Sequence, residues 1–233
     1  MKLYKFKSGS KRDLDALMSD QLWISTLTFM NDPTDLGFYL KEKYNDADIV
    51  AFQRALNQSI VVASFSNVIQ NRRLWNYYSD GMKGFVLTYR SEEIERAFGR
   101  QGNTFGGRSF KGKVSYGVDK YDFTEEFEKY LISKEIPKLY NNFELLFRKD
   151  ESWKEEKEYR IAMTIGNAKI EKGILLGHVR PYEVGVGYKI APDVLSGLRE
   201  WCAENKITLR KYIPDFSSKK SNSPFKTVVI VKD

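Results

Sequence analysis

Strand-forming and helix-forming segments do not alternate along this chain, and that order limits the folds open to it. Residues 2–6 read as a short strand. A helix follows, because Ser10 can cap it, Asp13 stands three residues on, and Leu14, Leu17 and Met18 share one face. Residues 22–25 read as a strand, Asn31-Asp32-Pro33 as a turn, and 35–58 as helix in one or two pieces. The β-branched run Ile60-Val61-Val62-Ala63-Ser64-Phe65 predicts a buried strand. A helix at about 70–80 should end at Gly81, and 84–89 should form the next strand. Ser91 with Glu92 and Glu93 starts a short helix.

Residues 99–113 hold five glycines and four basic residues with no acidic one, which predicts a flexible basic loop. Residues 122–150 are charged and mostly helical, a helical insertion interrupted or started by Pro137. Strands then cluster at 159–165, 168–176 and 182–187, the first two joined by a tight turn at Gly166-Asn167. A helix at about 192–205 and strands near 207–213 and 225–231 finish the chain, with a polar loop at 217–223. Strands that cluster instead of alternating argue for one α+β domain over residues 1–233, with a mixed or antiparallel sheet flanked by helices. No Gly-x-Gly-x-x-Gly links a strand to a helix, and no Walker-type phosphate loop is present.

Composition narrows the chemistry. Of 233 residues 42% are hydrophobic, enough for a substantial core. A net charge of +7 draws a protein toward polyanions, although 31 acidic residues stand against the 38 basic ones. The single Cys202 excludes an internal disulfide and a zinc site built on thiolates, and the single His178 excludes a multi-histidine site. No apolar stretch is long enough for a signal peptide or a membrane span, so a cytoplasmic protein is expected.

Four segments could carry chemistry. The first is Trp153-Lys154-Glu155-Glu156-Lys157-Glu158-Tyr159-Arg160. A strand starting near Glu156 would put Glu156, Glu158 and Arg160 on one face, able to grip a ribose and stabilise positive charge. The plainer alternative is a solvated turn of surface ion pairs. The second is Ser64-Phe65-Ser66-Asn67, whose hydroxyls at a strand end could orient a polar ligand or simply form a turn. The third is Phe29-Met30-Asn31-Asp32-Pro33, and the fourth is Leu74-Trp75-Asn76-Tyr77-Tyr78 followed by Lys83-Gly84-Phe85.

In order, these segments resemble the bacterial family catalogued as domain of unknown function 2971. Leu3-Tyr4-Lys5-Phe6-Lys7 is similar to its opening strand, and Trp23-Ile24-Ser25 with Phe29 to Pro33 to its strand and Asn-Asp-Pro turn. Ser64-Phe65-Ser66, Trp75 with Tyr78, and Lys83-Gly84 follow, then Lys149, Trp153, Glu156, Glu158, Tyr159 and Arg160. Lys7 stands where the family has Arg, and Leu74 where it has Met. More loosely, the order of parts resembles an ADP-ribosyltransferase of the Arg-Ser-Glu type, whose sheet is split.

That second resemblance implies NAD as the ligand, and catalytic roles for Glu158, Glu156 and Ser64. Glu158 would stabilise the oxocarbenium ion, Ser64 would hold the ribose or orient Glu158, and Glu156 would position an acceptor. Lys5 or Lys7 would be the basic residue of the first strand, Lys7 would contact the pyrophosphate or the adenine ribose, and Trp23 or Phe29 would stack on nicotinamide. Ser25, Asn31, Asp32, Ser66, Tyr78 and Arg160 complete the implied cofactor contacts. No metal is needed. The acceptor would be nucleic acid or protein, with Arg100, Arg108, Lys111 and Lys113 as candidate nucleic-acid contacts, in the manner of a bacterial toxin or phage-defence effector with a cognate inhibitor. Two other readings stay open. One is a non-catalytic nucleic-acid or nucleotide-binding module. The other is a metal-dependent nuclease using Asp32, Asp35 and the carboxylates at 155–158.

Overall fold

In the computed structural model, which describes residues 1–30, 38–135, 143–165, 170–216 and 224–231, the chain opens with β1 (Lys2–Lys7) and α1 (Lys11–Met18). Ser10 caps α1 by accepting from the Asp13 N–H. After β2 (Leu22–Thr26) and β3 (Phe38–Tyr39), the helical stretch expected over 35–58 is, among the described residues, confined to α2 (Asp46–Ser59). Asn45 caps α2, and Asp46 and Asp48 lie in its first turn, where the helix dipole favours acids.

The β-branched run is β4 (Ile60–Ser66), followed by α3 (Arg72–Tyr78) and β5 (Phe85–Arg90). The expected basic loop is instead the second half of α4 (Ser91–Phe105) followed by β6 (Ser109–Lys113). Gly99 and Gly102 sit inside that helix, at about 1 kcal/mol each relative to Ala. Burial of Ile94, Ala97 and Phe98 outweighs that cost. Gly106, at φ 64°, is where the helix stops.

The 122–150 region contains α5 (Thr124–Ser133) and a 3₁₀ turn (Phe143–Phe147), set between short strands β7 (Ser115–Tyr116), β8 (Tyr121–Asp122) and β9 (Arg148–Lys149). Pro137 lies outside the described residues. A second 3₁₀ turn (Glu151–Glu156) leads into β10 (Glu158–Thr164). β11 (Gly173–Leu176), β12 (Glu183–Gly187), α6 (Pro192–Glu204), β13 (Thr208–Pro214) and β14 (Phe225–Val231) complete the order.

Ten strands form the main sheet, along the path β11-β2-β4-β1-β5-β12-β13-β14, with β10 and then β6 added beside β4. All its pairs are antiparallel except β12 with β13, which α6 connects as a crossover. β10 and β11 do not form the hairpin expected across residues 166–167, which lie outside the described residues. β10 pairs with β4 and β6, and β11 with β2.

β4 is apolar from Ile60 to Ala63 because both its faces are covered there. Val61, Ala63 and Phe65 pack in one cluster with Ile94, Ala97 and Phe98 of α4. Ile60 and Val62 pack on the other face with Phe52 and Leu56 of α2 and Phe127 of α5. Phe52 alone meets the rings of Phe123, Phe127 and Tyr130 at centroid distances of 5.6, 5.1 and 5.0 Å. A third cluster gathers Phe6, Trp75, Tyr212 and Phe225 beneath α3.

Candidate functional site

β10 pairs with one edge of β4 along its whole length. The other edge is shared. β2 takes Val61 and Val62 at one end, and β1 takes Ser66 at the other, opposite Tyr4. Between those contacts the sheet is split. A cavity of about 230 Å³ opens there, lined by side chains from β1, β2, β4, α3, the second 3₁₀ turn and the start of β10.

The carboxylates enter from one side. Glu158 is 4% exposed, and its two oxygens accept from Arg160 Nε at 2.8 Å and Nη2 at 3.0 Å. Lys149 Nζ lies 3.2 Å from Glu158 Oε2 and 2.8 Å from Glu156 Oε2. Tyr78 Oη donates to Glu156 Oε1 at 2.6 Å. Burial alone would raise the Glu158 pKa, but the charge and hydrogen bonds of Arg160, then the charge of Lys149, outweigh it and hold the carboxyl down at about 2. The backbone N–H of Glu158 donates to Tyr116 Oη at 2.7 Å, fixing where β10 begins.

Period two along β10 explains why Glu158 and Arg160 share a face, opposite Ser66 and Ser64 in the register. The strand begins at Glu158, not at Glu156 as the spacing suggested. Glu156 ends the 3₁₀ turn, and Lys157 at φ 45° redirects the chain between them. Ser66 Oγ, 2.7 Å from the Glu156 carbonyl oxygen, ties that turn to β4. The Ser64 Oγ is buried, and among the described residues it has no well-formed hydrogen bond.

The cations of β1 enter from the opposite side. Lys5 Nζ donates to the Ser64 carbonyl at 2.8 Å and lies 5.7 Å from the centre of the Phe65 ring. Among the described residues no carboxylate is within ion-pair distance of Lys5. Burial, and then the like charge of Lys7, lower its pKa to about 8 against the pull of Glu158, Asp13 and Glu156. Lys7 is paired with Asp13 at 3.2 Å. Asp13 also accepts from Ser8 N–H and Oγ–H, so burial's upward push on it is overcome and its pKa is lowered.

Ten of the residues singled out from the sequence line this one cavity: Lys5, Lys7, Trp23, Ser25, Phe29, Ser64, Ser66, Tyr78, Glu156 and Glu158. Trp23 Nε1 donates to Ser25 Oγ at 3.2 Å, and Phe29 is 52% exposed at the rim. Arg160 does not line the cavity. It is fully buried, with its guanidinium taken up by Glu158 and the Leu146 carbonyl. Asn31 and Asp32 lie outside the described residues, as does Asp35. Arg100 is on α4 and Lys111 and Lys113 on β6, away from this face of the sheet, with Lys111 paired to Glu95.

Residues 74–161 match the family model described as a protein of unknown function, DUF2971. The matched span holds Trp75, Tyr78, Lys83-Gly84 and the segment from Trp153 to Arg160, and so supports the family resemblance carried by those motifs. Neither the curated proteins nor the solved structures yielded a match to the chain.

The sequence reading assigned no role to Lys149, which proves to be the cation between the two carboxylates. Its only signal was its place at the head of the Trp-x-x-Glu-x-Glu motif. Tyr4, Phe6, Met30, Phe65 and Leu74, which lie within the singled-out segments but were given no role of their own, also line the cavity, as does Val62. The whole suits a ligand with an anionic group for Lys5, hydroxyls for the carboxylates, and a flat ring for the aromatics. The position between Glu156 and Glu158 is filled by an ammonium, which speaks against a metal ion bridging them. Among the described residues no group of three His, Cys, Asp or Glu forms an alternative metal site.

Proposed function

We propose that the cavity is the site of an NAD-consuming enzyme of ADP-ribosyltransferase type, passing ADP-ribose to a nucleic-acid or protein acceptor or to water. The observation that supports it is the meeting, at a split in the sheet, of Lys5 from the first strand, Ser64 and Ser66 from β4, and Glu158 from β10. In this reading Lys5 takes a phosphate oxygen of NAD, with Lys7 beside it. Trp23 or Phe29 stacks on nicotinamide. Glu158, ionised across the ordinary pH range, accepts from a ribose hydroxyl and stabilises the charge that develops as nicotinamide leaves with the bonding electron pair. Glu156 orients the acceptor and takes its proton. A toxin or phage-defence role with a cognate inhibitor would accompany such chemistry.

One observation favours a second reading, a nucleotide-binding module without catalysis. Glu158 already faces two cations, so much of its field is cancelled before any ligand enters. Nicotinamide release from NAD, with nucleic acid and protein present as acceptors, separates the two. The first reading expects turnover that Glu156→Gln and Ser64→Ala each lower by about a hundredfold. Saturable NAD binding without turnover would leave the second. If NAD neither binds nor is consumed, both are wrong.

A further inference from the structure

A second concave site lies on the other face of the sheet. The cavity side chains Ser64, Ser66 and Glu158 share strand parity with Val62 and Ala162, which pack toward α2 and α5. α4 packs against the opposite parity, through Ile161 and Met163. On that α4 side, Arg96 and Arg100 lie one turn apart on one face of the helix. The segment with His178 and Arg180 and the turn at Lys206 close around them. Four cations therefore line a shallow site of about 420 Å³ against a single carboxylate, Glu93. Arg96, Arg100, Arg180 and Lys206 are all exposed.

The neighbours extend the charge. The Tyr182 ring, part of the same wall, has Lys2 at 5.8 Å and Arg90 at 5.5 Å from its centre. Asp20 pairs with Arg180 and Glu93 approaches Arg90 at 3.9 Å, so these two cations are partly neutralised. Arg96 donates through Nε to the Glu92 carbonyl, which steadies the side chain without cancelling its charge. Arg100 and Lys206 have no carboxylate within ion-pair distance among the described residues.

We infer that this surface is a nucleic-acid contact, and that it takes the phosphodiester backbone. Cations spread across three chain segments suit successive phosphates along a strand better than one ion, and the half-buried Tyr182 ring provides an apolar wall among them. Of the four residues proposed from the sequence as nucleic-acid contacts, only Arg100 belongs to it. The inference does not depend on the chemistry proposed for the cavity, whose lining shares no residue with this surface.

The test is anisotropy with a labelled single-stranded oligonucleotide of about 20 nucleotides, titrated with the full chain from 50 to 200 mM salt. Binding that falls linearly on a log–log salt plot is expected, with a slope reduced by about 2 in the Arg96→Glu/Arg100→Glu double variant. That variant should bind at least about tenfold more weakly at the lower salt. Lys129→Glu, on α5, should bind as the parent does. Both sets of positions are exposed, so folding should survive, as circular dichroism would verify. Unchanged binding by the double variant, or equal loss in Lys129→Glu, would overturn the inference. So would displacement of the oligonucleotide by millimolar inorganic phosphate at matched ionic strength, which would assign the site to a free anion.

Discussion

Tyr4 lies opposite Ser66, and among the described residues this one register pair is the whole of the backbone pairing between β1 and β4. On its other side β1 pairs with β5 over six residues. The weak seam is where the cavity opens, and Lys5 partly closes it by giving the Ser64 carbonyl an ammonium partner in place of a backbone N–H. Replacing Lys5 by Met removes a charge that burial disfavours and leaves one carbonyl short of a donor, effects of opposite sign. Thermal melts of Lys5→Met should shift little, while calorimetry should show nucleotide binding weakened at least about tenfold.

The Lys5 ammonium also sets a pH dependence. Its pKa near 8 means that the cation is lost as pH rises through 8. Binding of an anionic ligand should weaken above that point, approaching about tenfold per pH unit if Lys5 is the main contact. Titration calorimetry at pH 7, 8 and 9 measures it. A flat profile would remove Lys5 from the binding step.

Glu158 is the reverse case. A carboxyl held at about 2, against the usual 4.5, contributes stability that is present above pH 4.5 and lost as pH falls toward 2. The contribution is on the order of 3 kcal/mol. Glu158→Gln leaves Arg160 and Lys149 short of charge in the interior and should cost about 3–5 kcal/mol at pH 7, flattening the acid limb of a urea-midpoint versus pH curve. Glu156→Gln should cost less, because Glu156 is the more exposed of the two partners of Lys149.

A methyl group tests the approach of β5 to β1. A Cβ at Gly84 would lie 2.0 Å from the Lys7 carbonyl oxygen, which is backbone and has little room to give. Gly84→Ala should therefore separate the strand ends, costing several kcal/mol in denaturant melts and disturbing the Lys7–Asp13 pair.

The core on the α2 side makes a plain packing prediction. Phe52 is fully buried among four aromatic rings, so Phe52→Ala should destabilise by about 3–5 kcal/mol in urea unfolding.

Local signals in the chain determined most of the elements. Ser10, Asn45 and Asn71 cap helices because their side chains accept the first free N–H groups. β-branched residues at 60–65 make a strand, and period two puts Glu158 and Arg160 on one face. These depend on neighbours in sequence. Three features did not follow from such neighbours. The run at 99–113 carries loop-like glycines, yet burial of Ile94 and Phe98 against a distant sheet makes half of it helix. The strands beside residues 166–167 look like a hairpin, but β4 and β2 offer them better-covered partners. Lys149 reads as one lysine among many until packing puts it within 3.2 Å of two carboxylates. The split between β1 and β4 is likewise a property of how strands share an edge. Strand pairing joins residues about sixty positions apart, and no local preference encodes which edge is left open.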